Sequence, residues 1–212
     1  RYLWDGCVGC ADFCPYEYAP RVVLDAYEHG QFADRPSNSR LANLFALLRD
    51  DGQIRAIVET IHYAELPSPY PPVSQAVFCF ATRLVPTAAT AELRLVIFKC
   101  VFVAFDLATL GLVMVLVACA GRHQAWSLAY GWCPLVLKEF ANSGHLDSIA
   151  IFFATLAVTI ATVAWRRTQR KHRQRLAPAG AAVALGLGVG AKLYPVVLAP
   201  LFVCAWWRRG GW

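Results

Sequence analysis

The chain has 212 residues, 58% of them hydrophobic and 16% charged. Ordinary soluble domains run at roughly 45–50% apolar and about 25% charged; with a mean hydropathy of +0.43, the composition excludes that class and indicates a membrane protein. The net charge of +6 does not point to nucleic acid, because six of the twenty Lys and Arg fall in "RRTQRKHRQR", residues 166–175, with no aromatic-rich soluble module beside them.

Residues 1–69 are polar, aromatic and loop-like, with a turn-rich middle, "GQFADRPSNSR". They are expected to form an extracytoplasmic loop region. Within it, "LANLFALLRD" (41–50) and "IRAIVETIHYA" (54–64) space their apolar residues as amphipathic helices do, lying on a membrane surface or on their own neighbours.

Residues 70–212 are expected to form the transmembrane helical region. The stretch 70–86 is apolar but short and contains Arg83, so it crosses only marginally and its parity is left open. Residues 95–119 are long enough to cross with tilt, interrupted by Lys99 and Asp106. Residues 129–141 are too short to cross, whereas 148–165 carry no charge and make the clearest span. The last run, 179–207, has one charge, Lys192, and is broken by Pro195 and Pro200. It reads as a broken hairpin with its apex at "AKLYP". The basic segment 166–177 is assigned to the cytoplasm, which puts "NSGHLD", residues 142–147, on the outer face. Because the chain begins at Arg1 and stops just after an apolar run, it is expected to be an internal piece of a longer protein.

Ionisable side chains inside apolar runs are costly and therefore mark function by default. Three places qualify. "ANSGHLD" gathers Asn142, His145 and Asp147; "AKLYP" sets Lys192 and Tyr194 at a helix break; "AFDLAT" puts Asp106 mid-run, where a structural pairing, with Lys99 for instance, is the competing explanation. "GLGVGAK" is not a phosphate loop, since its spacing is wrong and no strand precedes it. Its glycines are expected to admit a neighbouring helix.

"GCVGCADFCP" places Cys7, Cys10 and Cys14 at C-x2-C-x3-C before a proline. A ferredoxin run needs a further internal thiolate, and Cys79, Cys100, Cys119, Cys133 and Cys204 lie in or beside apolar runs, where cysteine acts as a small hydrophobe. No iron–sulfur cluster is expected. Outside the cytoplasm the three would form at most one local disulfide and leave an odd thiol.

Taken in order, "RYLWDG…PYEYAP", "ELPSPYPPVSQ", "FDLATL", "YGWCPLVLKEFANSGHLDS" and "GAKLYPVVLAPL" resemble the polytopic GT-C glycosyltransferases, most closely the bacterial glycosyltransferase family 87 mannosyltransferases. The resemblance implies an all-α fold: a polytopic transmembrane helical bundle with an outer loop region carrying short amphipathic helices. It also implies a multi-pass location in a bacterial plasma membrane. The implied activity is transfer of a sugar from a polyprenyl-phosphate donor to a lipid or glycan acceptor, with membrane lipids and no nucleic acid as partners. The family's acidic pair falls ahead of Arg1, so Asp5, which matches a later family carboxylate, is the catalytic candidate in this chain. Arg1, Tyr70, Asn142, His145, Asp147, Lys192 and Tyr194 are the implied substrate-binding residues. No cofactor is required, and a divalent metal is left open. The competing reading is a transporter or flippase, because broken helices with buried charges also line substrate pathways.

Overall fold

The computed structural model describes residues 1–29, 39–166 and 173–207. All but the last two residues of "GQFADRPSNSR", residues 167–172 of the basic segment, and Arg208 and Arg209 lie outside the described residues. The chain is all-helical, at 77% helix with no strand among the described residues. It divides into two compact units, Arg1–Phe98 and Lys99–Trp212, the division falling within one long helix. The change of composition at 69/70 and this compact boundary therefore do not coincide: the first apolar helix packs with the loop region.

The first unit contains α1 (Tyr2–Cys10), α2 (Pro20–Glu28), α3 (Ser39–Asp50), α4 (Gly52–Glu59) and α5 (Pro72–Arg83), and α6 (Ala91–Cys119) begins in it. Local chemistry sets several ends. Pro20 and Pro72 occupy first-turn positions where a missing N–H costs nothing. Asp51 caps α4, accepting from the backbone N–H groups of Gln53 at 3.0 Å and Ile54 at 3.4 Å. Its other oxygen accepts from Arg94 at 2.5 Å, tying the start of α4 to the start of α6.

The core of this unit is Trp4, Cys7 and Val8 from α1, Val23 and Leu24 from α2, Leu44 and Leu48 from α3, and Ile54 and Val58 from α4. The two amphipathic segments thus bury their apolar faces against their own neighbours. The second is shorter than its periodicity suggests, ending at Glu59 with Thr60 as its cap. Helix α1 lies along α5 at a separation that only glycine permits. A Cβ on Gly6 would sit 2.7 Å from the Phe78 carbonyl oxygen.

In the second unit α6 continues to Cys119. The stretch 124–142 is a chain of short pieces: a 3₁₀ turn Gln124–Ser127, α7 (Leu128–Gly131), α8 (Pro134–Val136) and a π-helical turn Leu137–Asn142. After it come α9 (Asp147–Arg166), α10 (Arg173–Ala191), a 3₁₀ turn Tyr194–Leu198 and α11 (Ala199–Trp207). Helices α9 and α10 pack along each other over small residues: Ala150, Ala157, Ala181 and Ala184 are buried, and a Cβ on Gly188 would lie 3.4 Å from the Ala154 amide nitrogen. Gly188 therefore does admit a neighbouring helix. Gly186 does not, since nothing stands within 4 Å of it.

Among the described residues, two helices are long and apolar enough to cross a membrane: α6, with 29 residues, and α9, with 20. At about 1.5 Å per residue they reach roughly 43 and 30 Å, against a hydrocarbon core of about 30 Å. Only 17% and 28% of their apolar windows are buried, so neither has the covered surface of a soluble core helix. The run 179–207 breaks at Lys192 and Leu193, and its apolar parts, 177–191 and 194–207, fall short of spanning length. Beyond the break, Leu198, Ala199 and Phe202 pack on the same cluster as Ala184 and Leu185 before it, so the chain turns back there.

Candidate functional site

Two groupings of the candidate residues emerge, one in each unit.

In the first, Asp5 is 1% exposed on α1. Its Oδ1 accepts from Arg1 Nε at 3.0 Å; its Oδ2 accepts from Ser68 Oγ at 2.6 Å and from Gln75 Nε2 at 3.4 Å. Gln75 also donates to Ser68 Oγ at 2.5 Å. Burial pushes the Asp5 carboxyl above its ordinary range, outweighing the opposing pull of Ser68, Arg1 and Gln75. Arg1 Nη1 donates to the Leu66 carbonyl at 2.9 Å, while its Nη2 has no hydrogen-bond partner among the described residues.

Arg1 and Tyr70 share a cleft of about 430 Å³ with Thr60, His62, Tyr63 and Leu66. Tyr63 stands there in a left-handed backbone conformation, φ 56°, which is uncommon for an aromatic residue. Tyr70 packs edge-on against both Tyr2 and Phe78. The sequence motif "ELPSPYPPVSQ" contained Ser68 and Gln75, but nothing in their spacing declared them partners of a carboxylate 63 and 70 positions away.

In the second unit, Asp147 opens α9, where the helix dipole favours a negative charge. Lys192, at the break after α10, donates to its Oδ1. His145 Nδ1 stands 2.8 Å from its Oδ2, close enough for an ion pair when protonated, without the alignment of a hydrogen bond. Tyr194 lies within electrostatic reach of Asp147. The Ser148 hydroxyl, next in sequence to Asp147, is buried without a hydrogen-bond partner among the described residues. Gly144 makes the turn possible: its φ is +66°, and a Cβ there would meet Lys99 Cγ at 2.9 Å, so the stem of Lys99 lies on this loop. Asn142 ends the π-helical turn and is exposed.

Asp106 pairs with Tyr130, which donates to its Oδ1 at 2.6 Å, and not with Lys99. The reason is geometric: seven residues along one helix separate Lys99 and Asp106 by about 10 Å of rise, whereas α7 brings Tyr130 alongside.

No family model, curated protein or solved structure matches the chain.

The chemistry must therefore be read from the groups themselves. Lys192, Asp147 and His145 form a partly exposed cation–carboxylate–imidazole cluster, suited to holding an anion that competes with Asp147 for the ammonium. The Arg1 cleft joins a guanidinium to exposed aromatic surface. Among the described residues no three His, Cys, Asp or Glu side chains converge as metal ligands. The three cysteines of "GCVGCADFCP" also point to different environments. Cys7 is buried, Cys14 is exposed, and Cys10 meets Cys79.

Proposed function

We propose that the chain is the body of a multi-pass membrane glycosyltransferase of the GT-C kind, a mannosyltransferase of bacterial plasma membranes. It transfers a sugar from a polyprenyl-phosphate donor to a lipid or glycan acceptor. The observation that carries this reading is the meeting of Lys192, Asp147 and His145 where a broken helix adjoins α9, a helix of spanning length. An ammonium held beside a carboxylate at such a break is poised to take up a lipid-linked phosphate.

In the reaction, the acceptor hydroxyl attacks the anomeric carbon, and its proton passes to a carboxylate as the new bond forms. The bond from that carbon to the donor phosphate oxygen breaks, and fixed cations stabilise the charge left on the phosphate. Lys192 and His145 take this last role, with Asp147 orienting both. Asp5 has both oxygens engaged inside the protein, so its part is to hold Arg1 at the mouth of the aromatic cleft. The proton-accepting carboxylate then belongs to the acidic pair that the family resemblance places ahead of Arg1.

Lys192→Ala in the full-length protein is expected to reduce transfer at least a hundredfold while leaving membrane insertion intact, measured with a radiolabelled polyprenyl-phosphate sugar. Unchanged transfer would remove Lys192 from the mechanism. The break at Lys192–Leu193, with its ion pair, equally suits a transporter, which would move labelled substrate across vesicles without forming a glycosidic bond.

A further inference from the structure

Cys10 and Cys79 lie 69 positions apart in sequence, yet their Sγ atoms are 2.7 Å apart. Cys10 ends α1 and Cys79 sits in the third turn of α5. Two features of the helix pairing bring them together. Gly6 lets the α1 backbone press on the Phe78 carbonyl, and Gly9, one turn on, leaves 3.9 Å between its own Cβ position and Cys79 Cβ. Between those glycines and the Arg1–Asp5–Ser68–Gln75 network at the other end of α1, the register of α1 on α5 is fixed over its length. The Cys10 thiol also donates to the Cys79 carbonyl at 3.0 Å, so it is held against its partner rather than turned away. Neither residue is fully buried, and both are free thiols.

We propose that Cys10 and Cys79 are a dithiol modification site that closes to a disulfide joining α1 to α5, taking a low-molecular-weight disulfide such as oxidised glutathione as its oxidant. One thiolate attacks a sulfur of the oxidant, forming a mixed disulfide and releasing one small thiol. The second cysteine then attacks its neighbour's sulfur and releases the other. Two electrons pass to the oxidant, and the protons of the two cysteines leave with the two thiols formed. Because the sulfurs already stand 2.7 Å apart, an S–S bond of about 2.05 Å requires only a small further approach.

Arg83, one turn beyond Cys79 on α5, acts on Cys10 as a positive neighbour that favours the thiolate. Burial and the adjacent Cys79 outweigh it and push the Cys10 thiol up to about 11. The pair therefore closes slowly near neutral pH and faster as pH rises, since the thiolate is the attacking form.

The test uses the intact protein in mild detergent, treated with oxidised glutathione and then with an alkylating reagent before digestion. The expected product is a Cys10–Cys79 linked peptide, two hydrogens lighter than the sum of its reduced parts. Its yield should be lost in both Cys10→Ser and Cys79→Ser and kept in Cys7→Ser and Cys14→Ser. Should the serine variants misfold, the wild type alone decides: closure raises its Tm by several degrees, reversed by dithiothreitol. The proposal is overturned if Cys10 and Cys79 both remain alkylatable after oxidation, or if either links instead to Cys7 or Cys14.

Discussion

Asp5 shows most plainly how single residues are used in this protein. It carries a formal charge at 1% exposure, and such a charge persists only where its partners are complete. Arg1, Ser68 and Gln75 complete it. Replacing Asp5 with Ala would leave a largely buried guanidinium and the buried Ser68 hydroxyl without their acceptor. The expected loss is about 3–5 kcal/mol, read as a fall in the unfolding temperature of the detergent-solubilised protein, with Asp5→Asn losing less. The direction of the Asp5 shift adds a pH signature. Its folded carboxyl lies above 3.8, so the folded state binds a proton more tightly than the unfolded chain. Stability from that source is full below pH 3.8 and is lost as pH rises through the folded value. Asp5→Asn should flatten this part of the pH–stability curve, which would keep its slope if other groups were responsible.

Among the elements, the decisive contacts are close approaches between helices. Gly6 is the clearest, because an added Cβ meets Phe78 backbone and Thr82 Oγ1, at 2.7 and 2.3 Å. A side chain tip can swing away, but a carbonyl cannot. Gly6→Ala should therefore push α1 off α5 and cost about 1–3 kcal/mol, and it should also lower the yield of the Cys10–Cys79 link under the same oxidation. A wild-type yield would mean that the two helices tolerate wider spacing. The α9–α10 pair uses the same device more gently, with 3.4 Å at Gly188 and alanines along the seam.

For the whole molecule, the informative fact is where apolar surface is left uncovered. Helices α6 and α9 are of spanning length, yet only 17% and 28% of their apolar windows are buried within the chain, which leaves apolar area uncovered. Water would penalise that area at roughly 25 cal/mol per Å², whereas lipid would not. The protein is accordingly expected to stay with the membrane pellet through alkaline carbonate washing and to be released only by detergent. Recovery in the wash supernatant would mean that α6 and α9 are covered by protein instead.

The helical class, the two apolar helices of spanning length around 95–119 and 148–165 and the break near "AKLYP" were legible in the sequence, because each rests on local composition, helical periodicity or proline. So was the meeting of His145 and Asp147, two positions apart on one loop. Other features were settled only by the folded chain. Lys192 meets Asp147 across 45 positions, Asp5 finds Ser68 and Gln75, Asp106 takes Tyr130 rather than Lys99, and Cys10 faces Cys79. Each of these depends on which helix faces lie together and at what register. That is fixed by glycine and alanine seams whose partners are distant in the chain, and a one-dimensional pattern does not record it.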